Sequence, residues 1–154
     1  MSVMSGRPFW AAAGLLAGAL LNAQSPVTYD RLLKADQEPG NWLMYSNTYN
    51  GWRFSRLNQI DTGNVGRLKL KWVYQMRTQE KVETTPLVVD GIMYVTRPDN
   101  DIIALDAETG RALWTYEYRN PPKLYPCCGR VNRGVALLGN RLFMNTLDMH
   151  VAAV

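Results

Sequence analysis

Two segments of the chain repeat the same strand, turn and strand pattern, and this repeat limits the folds that the sequence can adopt. Residues 87–96 read LVVDGIMYVT and residues 136–145 read ALLGNRLFMN, each with a tight-turn pair in the middle. The segments lie 49 positions apart, and the apolar runs at 102–105 and 151–154 keep the same separation. A repeat of roughly 40–50 residues with several short strands is typical of β-propeller blades, which bury both faces only by stacking on neighbours. The alternative is a β-sandwich whose strands share this spacing by coincidence.

A tryptophan recurs in the same part of the chain. Trp72 and Trp114 each begin an aromatic run that reads as a strand, and a periodic tryptophan is a second mark of propeller blades. They lie 42 positions apart, and the longer loop from Arg119 to Gly129 accounts for the difference from the hairpin repeat.

Residues 1–23 have the pattern of a secretory signal peptide. Arg7 is their only charge, residues 9–21 (FWAAAGLLAGALL) are apolar, and Ala23 offers a small residue for cleavage. Thirteen apolar residues form a helix of roughly 20 Å, shorter than the ~30 Å hydrocarbon core of a membrane. The sequence therefore predicts export to the periplasm, where disulfides can form, and the alternative is an uncleaved anchor.

The mature part divides into two regions. Residues 24–66 form a lead-in that contains one predicted helix, with apolar residues at near-helical spacing, a cap at Thr28 or Asp30, and an end at Pro39-Gly40. Residues 67–154 carry the blade repeat. Val154 corresponds to Leu105 in the repeat, so we expect the chain to stop within a blade and to be the N-terminal portion of a longer protein.

Composition excludes several classes of protein. Of the 154 residues, 47% are hydrophobic and 19% are charged, which are globular values. The net charge of +4 comes from scattered basic residues, so we expect no nucleic acid partner. Two cysteines are too few for a disulfide-rich scaffold.

Residues 104–114 (ALDAETGRALW) resemble the tryptophan-docking motif, A-x-D-x-x-T-G-x-x-x-W, of quinoprotein alcohol dehydrogenases. The matching positions are Asp106, Thr109, Gly110 and Trp114. In that family the tryptophan packs between neighbouring blades and the Thr-Gly pair makes the tight turn, so all four residues are expected to be structural. The resemblance extends over nearly all of residues 28–154. It implies an all-β fold that is the N-terminal portion, under three blades, of an eight-bladed β-propeller.

The adjacent cysteines Cys127 and Cys128 are the most specific part of this resemblance. Successive Cα atoms lie about 3.8 Å apart, below the usual disulfide range of about 4.4–6.8 Å, so a bond between the two would be strained. From the residues alone, two free thiols and such a bonded pair both stay open. A zinc site with His150 is disfavoured, because adjacent cysteines are poor co-ligands of a tetrahedral metal. The resemblance implies a Cys127–Cys128 disulfide that lies flat against one face of pyrroloquinoline quinone.

Two charged residues complete the candidate cofactor site. The resemblance places Arg133 near the carbonyl oxygens of the quinone and Glu83 at its carboxylate edge, where two carboxylates need a shared proton or a nearby cation. The alternative is an ordinary salt-bridge arginine and an exposed glutamate at a strand end. His150 is expected to face solvent, and Met149 stands in a turn where the family generally has glycine.

The resemblance implies an enzyme that oxidises a small alcohol to a carbonyl, using pyrroloquinoline quinone and calcium. The electrons would pass to a cytochrome c or a membrane quinone, and a homodimer is compatible with the family. The catalytic base and the calcium ligands lie on later blades in the family, so we expect no catalytic residue and no metal ligand in this chain. The alternative is a non-catalytic propeller that serves as a scaffold in the cell envelope.

Overall fold

The computed structural model describes residues 25–154, so the predicted signal peptide lies outside the described residues. Two antiparallel sheets carry the repeat, with strand orders β1-β2-β3-β4 and β5-β6-β7. A short helix and two 3₁₀ turns, Ala35–Gln37 and Val65–Arg67, precede the sheets. The elements in chain order are α1 Tyr29–Leu33, β1 Leu87–Val89, β2 Ile92–Arg97, β3 Asp101–Asp106, β4 Ala112–Tyr116, β5 Ala136–Leu138, β6 Arg141–Asn145 and β7 Val151–Ala153.

The strand registers confirm the repeat that the sequence predicts. Leu87 pairs with Tyr94 in the first sheet, and Ala136 pairs with Phe143 in the second. Tyr94 in turn pairs with Ala104, and Phe143 pairs with Ala153. Each pair reappears 49 positions later, so the two sheets are built on one plan.

The connections between strands gather at two edges of the sheets. We call the edge that contains residues 83–86, 96–101, 117–135 and 145–150 the upper edge, and the edge with residues 90–91, 106–111 and 139–140 the lower edge. The three-residue β2–β3 loop at the upper edge, residues 98–100, has positive φ at two residues, Asp99 (73°) and Asn100 (67°). Asparagine and aspartate are the non-glycine residues that tolerate this conformation best.

Strand β3 is buried on both faces, and this places the core. Ile102 and Ala104 face the second sheet, where Leu142 and Met144 pack against them in one apolar cluster. Ile103, with Leu105 and Val95, faces the opposite way into a second cluster. A strand that is buried on both sides has a continuous apolar run instead of an alternating one, which explains the sequence IIAL.

The segment 68–77 covers the second cluster. Trp72, Tyr74 and Met76 pack against it, while the side chains between them are exposed. The sequence predicts a strand here, but the segment is extended without being a strand of either sheet. The prediction was wrong because pairing requires a neighbouring strand, and among residues 25–154 none lies beside this segment.

The N-terminal helix is shorter than predicted. It ends at Leu33 and continues as the 3₁₀ turn, whereas the Thr28 cap is confirmed, since its hydroxyl accepts the Arg31 N–H at 3.2 Å. Short β-bridges fix this region to the sheets, Val27 to Gly139 and Trp42 to Val88. Over residues 25–154, no helix has the length and apolar character needed to cross a membrane.

Candidate functional site

The turn at 106–110 is organised by the carboxylate of Asp106. This carboxylate accepts the N–H groups of Thr109 at 2.8 Å and Glu108 at 3.0 Å. These bonds, the one from Thr109 first, hold the pKa of Asp106 below its usual value. Gly110 closes the turn with a φ of 72°, which favours glycine over other residues.

The tryptophan that contacts this turn is Trp72. A β-carbon at Gly110 would overlap the Trp72 ring, and the indole Nε1 donates to the carbonyl oxygen of Ala107 at 3.2 Å. Trp114 instead lies in the cleft toward the second sheet, 40% exposed, with its ring 5.9 Å from that of Tyr94. Both tryptophans stand out in the sequence, but the motif includes only Trp114 and therefore gives no sign that Trp72 contacts the turn.

Glu83 and Arg133 meet at the upper edge. Arg133 Nη2 and Nε lie 3.0 and 3.1 Å from Glu83 Oε2, although the residues are 50 positions apart. The segment leading into β1 runs beside the segment leading into β5, and the N–H of Thr85 donates to the carbonyl oxygen of Arg133 at 3.1 Å. Both side chains remain accessible, with Arg133 72% and Glu83 40% exposed. Arg133 therefore forms a salt bridge, and its partner is the other charged candidate residue.

The cysteine pair lies on the long upper-edge loop close to this ion pair. Both Cys127 and Cys128 are exposed, and their sulfurs are unbonded thiols in the structure, so the disulfide stays a prediction. A hydrogen bond to Cys127 raises the pKa of the Cys128 thiol, while the charges of Arg133 and Glu83 act on it in opposite directions. The loop is tied to the β2–β3 turn, since Arg130 Nη1 contacts Asp99 Oδ1 at 2.5 Å.

A groove opens beside Arg133 along the second sheet. Residues 131–136 form one wall, residues 145–147 and Phe143 form another, and Tyr45 from the N-terminal region closes one side. The groove thus has a cationic fork and apolar walls, and the cysteine pair lies on the loop that leads to its first wall. Such a set of groups can bind a planar, anionic ligand that carries exocyclic oxygens.

A second polar cluster, which the sequence did not reveal, joins the two sheets at the upper edge. The Tyr118 hydroxyl donates to the carboxylate of Asp148 at 3.0 Å, and His150 Nδ1 lies 3.2 Å from the same carboxylate. Hydrogen bonds, first from Thr146, hold the pKa of Asp148 below its usual value. His150 is exposed as expected, and Met149 takes a φ of 66°. No sequence signal pairs Tyr118 with a residue 30 positions away.

Residues 25–154 contain no group of three or more His, Cys, Asp or Glu side chains that could hold a metal ion. The candidate site in the described part of the chain consists of Glu83, Arg133 and the cysteine pair, with the groove beside them.

Residues 42–154 match the PQQ family profile described as "Glucose/ethanol/alcohol dehydrogenase, beta-propeller domain". The quinohemoprotein alcohol dehydrogenase ADH-IIG of Pseudomonas putida is 42% identical over 144 residues, which cover 90% of this chain and 20% of that protein. The dehydrogenase subunit of the quinone alcohol dehydrogenase of Gluconacetobacter polyoxogenes is 37% identical over 92% of this chain and 21% of its own length.

Solved structures agree with these sequence matches. The ADHIIG structure from Pseudomonas putida HK5 superposes with a TM-score of 0.77 at 40% identity, covering 86% of this chain and 20% of that chain. A europium-containing methanol dehydrogenase superposes with a TM-score of 0.75 at 38% identity, covering 81% and 23%. The chain thus spans about a fifth of the length of these relatives, and the predicted partial β-propeller is confirmed. The chain belongs to the quinoprotein alcohol dehydrogenase family, as part of its β-propeller domain.

Proposed function

We propose that this chain belongs to an enzyme that oxidises an alcohol to a carbonyl with pyrroloquinoline quinone, and that its upper edge supplies part of the cofactor platform. The observation that carries the proposal is the meeting of Glu83, Arg133 and the cysteine pair at one place. These residues lie up to 50 positions apart in the chain, and two loop segments that run side by side bring their charged and thiol groups together.

The groups present fit the quinone. Its ring carries carboxylates and two carbonyl oxygens, and the planar guanidinium of Arg133 can bind either kind of oxygen through two parallel N–H groups. The carboxylate of Glu83 alone would repel the anionic groups of the quinone. In the structure Arg133 pairs with this carboxylate and offsets its charge. The sulfurs of Cys127 and Cys128 are exposed and offer a polarisable surface to a flat ring.

Each residue then has a distinct task in binding. Arg133 holds oxygens on which negative charge develops, and Glu83 holds the Arg133 side chain in place through the ion pair. The cysteine pair, oxidised to a disulfide, forms a rigid face beneath the cofactor. When bound, the quinone supplies the acceptor for the two electrons that leave the alcohol. The acceptor after that is proposed to be a cytochrome c or a membrane quinone.

We propose calcium as the metal, with its ligands and the catalytic base supplied from outside the described residues. The europium-containing methanol dehydrogenase suggests a trivalent lanthanide as the competing ion. Both are hard cations that prefer oxygen ligands, so the two are distinguished by loading the same protein with each ion in turn. A requirement for europium at calcium concentrations that leave the enzyme inactive would reject calcium.

Export to the periplasm is part of the proposal, because a vicinal disulfide needs an oxidising compartment. Mass spectrometry of the exported, non-reduced protein tests this directly. The peptide that contains Cys127 and Cys128 should be lighter by two hydrogens than the same peptide after reduction. Two free thiols in the exported protein would contradict the disulfide platform and favour a non-catalytic scaffold in the envelope.

A chimera tests the cofactor platform itself. Residues 42–154 of this chain would replace the matching segment of ADH-IIG, and ADH-IIG would supply the rest of the protein. The two proteins are 42% identical over 144 residues. We expect the chimera to bind pyrroloquinoline quinone and to oxidise alcohols. Arg133→Ala should weaken quinone binding by roughly tenfold or more, since a charge-assisted hydrogen bond contributes about 1.5–3 kcal/mol.

The matched control is Arg119→Ala, which removes an exposed arginine from the same loop. This variant should bind quinone like the unmodified chimera. Equal quinone affinity in the Arg119 and Arg133 variants would refute the assignment of Arg133. A folded chimera without quinone affinity would refute the platform as a whole.

A further inference from the structure

A buried asparagine stands directly before Arg133 and joins three parts of the upper edge. Asn132 is 7% exposed. Its Nδ2 donates to Asn100 Oδ1 and to the carbonyl oxygen of Asn145, both at 3.0 Å, and its Oδ1 accepts the N–H of Gly134 at 3.0 Å. The side chain therefore connects the first sheet, the second sheet and the backbone just after Arg133, with both its amide donors and its oxygen satisfied.

Three asparagine side chains form one directed chain of hydrogen bonds. Asn120 Nδ2 donates to the carbonyl oxygen of Asp99 at 2.7 Å, and Asn100 Nδ2 donates to Asn120 Oδ1 at 2.7 Å. Asn132 then donates to Asn100, which is fully buried. At one end of this hydrogen-bond chain the carbonyl oxygen of Asp99 accepts, and at the other end the N–H of Gly134 donates and the carbonyl oxygen of Asn145 accepts. Reversing any one amide would therefore place two donors or two acceptors against each other. The network has a single arrangement.

A buried threonine of β2 forms hydrogen bonds to the residues next to both members of the ion pair. Thr96 is 1% exposed, its N–H donates to Thr84 Oγ1 at 2.8 Å, and its hydroxyl donates to the carbonyl oxygen of Asn132 at 3.2 Å. Thr84 follows Glu83 in the chain and Asn132 precedes Arg133. The residues next to both charged side chains in the sequence are therefore hydrogen-bonded to the same residue of β2.

The residue after Arg133 is also constrained. Gly134 has a φ of 122°, and a β-carbon there would lie 2.9 Å from the carbonyl oxygen of Thr85. Only glycine allows the two segments to approach this closely. Arg133 thus emerges from a backbone that is held on both sides, while its own side chain stays exposed.

We propose that Asn132 is a positioning residue, which through the amide chain to Asn100 and Asn120 and through Thr96 fixes Arg133 against Glu83. The inference rests on the proposed function, since the position of Arg133 matters there for holding the quinone. Asn132 makes no contact with the guanidinium among the hydrogen bonds of residues 25–154, and acts on it through the backbone. A buried amide is costly unless all its groups are paired, which is the case here.

The test uses the full chain with its cysteines reduced and needs no quinone. Asn132→Ala should speed hydrogen exchange at the amides of Gly134 and Thr85 by roughly tenfold, since each reports directly on this backbone. It should also shift the pH profile of Cys128 alkylation upward, because Arg133 lowers the pKa of that thiol and would be displaced. Arg133→Gln should cause the same upward shift.

The double variant Asn132→Ala, Arg133→Gln decides whether Asn132 acts through Arg133. We expect its alkylation profile to match that of Arg133→Gln alone. The control is Asn140→Ala, which changes an exposed turn asparagine at the lower edge and should leave both measurements as in the unmodified chain. If Asn132→Ala fails to fold, Asn120→Ala removes the far end of the amide chain and should produce a smaller change in the same direction.

Two results would overturn the inference. One is that Asn132→Ala shows the same hydrogen exchange and the same Cys128 alkylation profile as the unmodified chain. The other is a shift of equal size in the presence and absence of Arg133, which would show that Asn132 acts on the thiol by another route. A chimera that takes up no quinone would refute the proposed function and leave both measurements unaffected.

Discussion

The guanidinium of Arg31 fastens the N-terminal region to the lower edge of the first sheet. It contacts Glu38 Oε2 at 2.8 Å and Asp90 Oδ1 at 2.6 Å, and Nη1 donates to the carbonyl oxygen of Ser25 at 2.9 Å. The side chain of Arg31 is 15% exposed, and the carboxylates are 28% and 29% exposed. Replacing Arg31 by methionine keeps much of the side-chain volume and leaves both carboxylates without their cation.

The expected loss lies between two limits. Exposed ion pairs contribute about 0–1 kcal/mol, and breaking a buried pair costs about 3–5 kcal/mol. Because Glu38 lies in the N-terminal region itself, only the Asp90 pair joins this region to the sheet. For that pair, at intermediate burial, we expect about 2 kcal/mol, which corresponds to a roughly 30-fold increase in the fraction of detached N-terminal region. Hydrogen exchange measures this detachment at the amides of Trp42 and Val88, which pair with each other at 2.7 and 3.0 Å. Amides of the β2–β3 ladder serve as the internal reference.

The pH dependence gives the prediction a second component. Hydrogen bonds from Arg31 hold the pKa values of Glu38 and Asp90 below their usual values. A carboxylate with a lowered pKa in the folded state stabilises that state above its unfolded pKa of about 4, and the contribution disappears as the pH falls through the folded pKa. The difference in exchange between wild type and Arg31→Met should therefore be complete at pH 7 and shrink on acidification.

The matched control is the exposed pair of Arg56 and Asp36, which has the same kind of contact at 2.8 Å. Its residues are 62% and 41% exposed, so Arg56→Met should change exchange by less than about fivefold. Equal effects of the two substitutions, or a difference that persists unchanged into acid, would refute the reasoning.

Three further predictions concern the turns and the thiols. Gly110→Ala should destabilise the first sheet by about 2–4 kcal/mol, because it adds backbone strain and displaces the Trp72 ring, and unchanged exchange of the β3–β4 amides would contradict this. Met149→Gly should stabilise the β6–β7 hairpin by about 0.5–1 kcal/mol by relieving a positive φ, so faster exchange of its amides would count against it. In the reduced chain, Cys127→Ser should move the alkylation midpoint of Cys128 to lower pH, since Cys127 raises that pKa, and an unchanged midpoint would exclude this cause.

Local sequence patterns were sufficient for the elements that depend on neighbouring residues. The hairpins at 87–97 and 136–145 follow from apolar runs that flank a turn pair, and the cap at Thr28 needs only a residue three positions away. The segment around Trp72 shows the limit of such patterns. Its side chains alternate between partly buried and exposed, as in a strand. Whether an extended segment becomes a strand, however, depends on a partner strand that the local sequence does not contain.

The same division applies to the candidate site. Glu83, Arg133 and the cysteines stood out from the sequence through residue types that match a known family, so their identity needed no coordinates. That Arg133 pairs with Glu83 depends on two loop segments running side by side. Asn132 gave no signal at all, because asparagine is common in loops and only burial shows that its amide is fully engaged.

The sequence by itself determined the blade repeat, its 49-residue period and the family to which the candidate residues belong. These properties are written in the order and spacing of residues, since hairpin register depends on turn type and on alternation along the strands. The tertiary structure alone decided which tryptophan contacts the Gly110 turn, which charges meet at the upper edge and which polar groups are buried between the sheets. Each of these depends on distances between residues about 30 to 50 positions apart, and such distances are set by how the sheets and loops pack together.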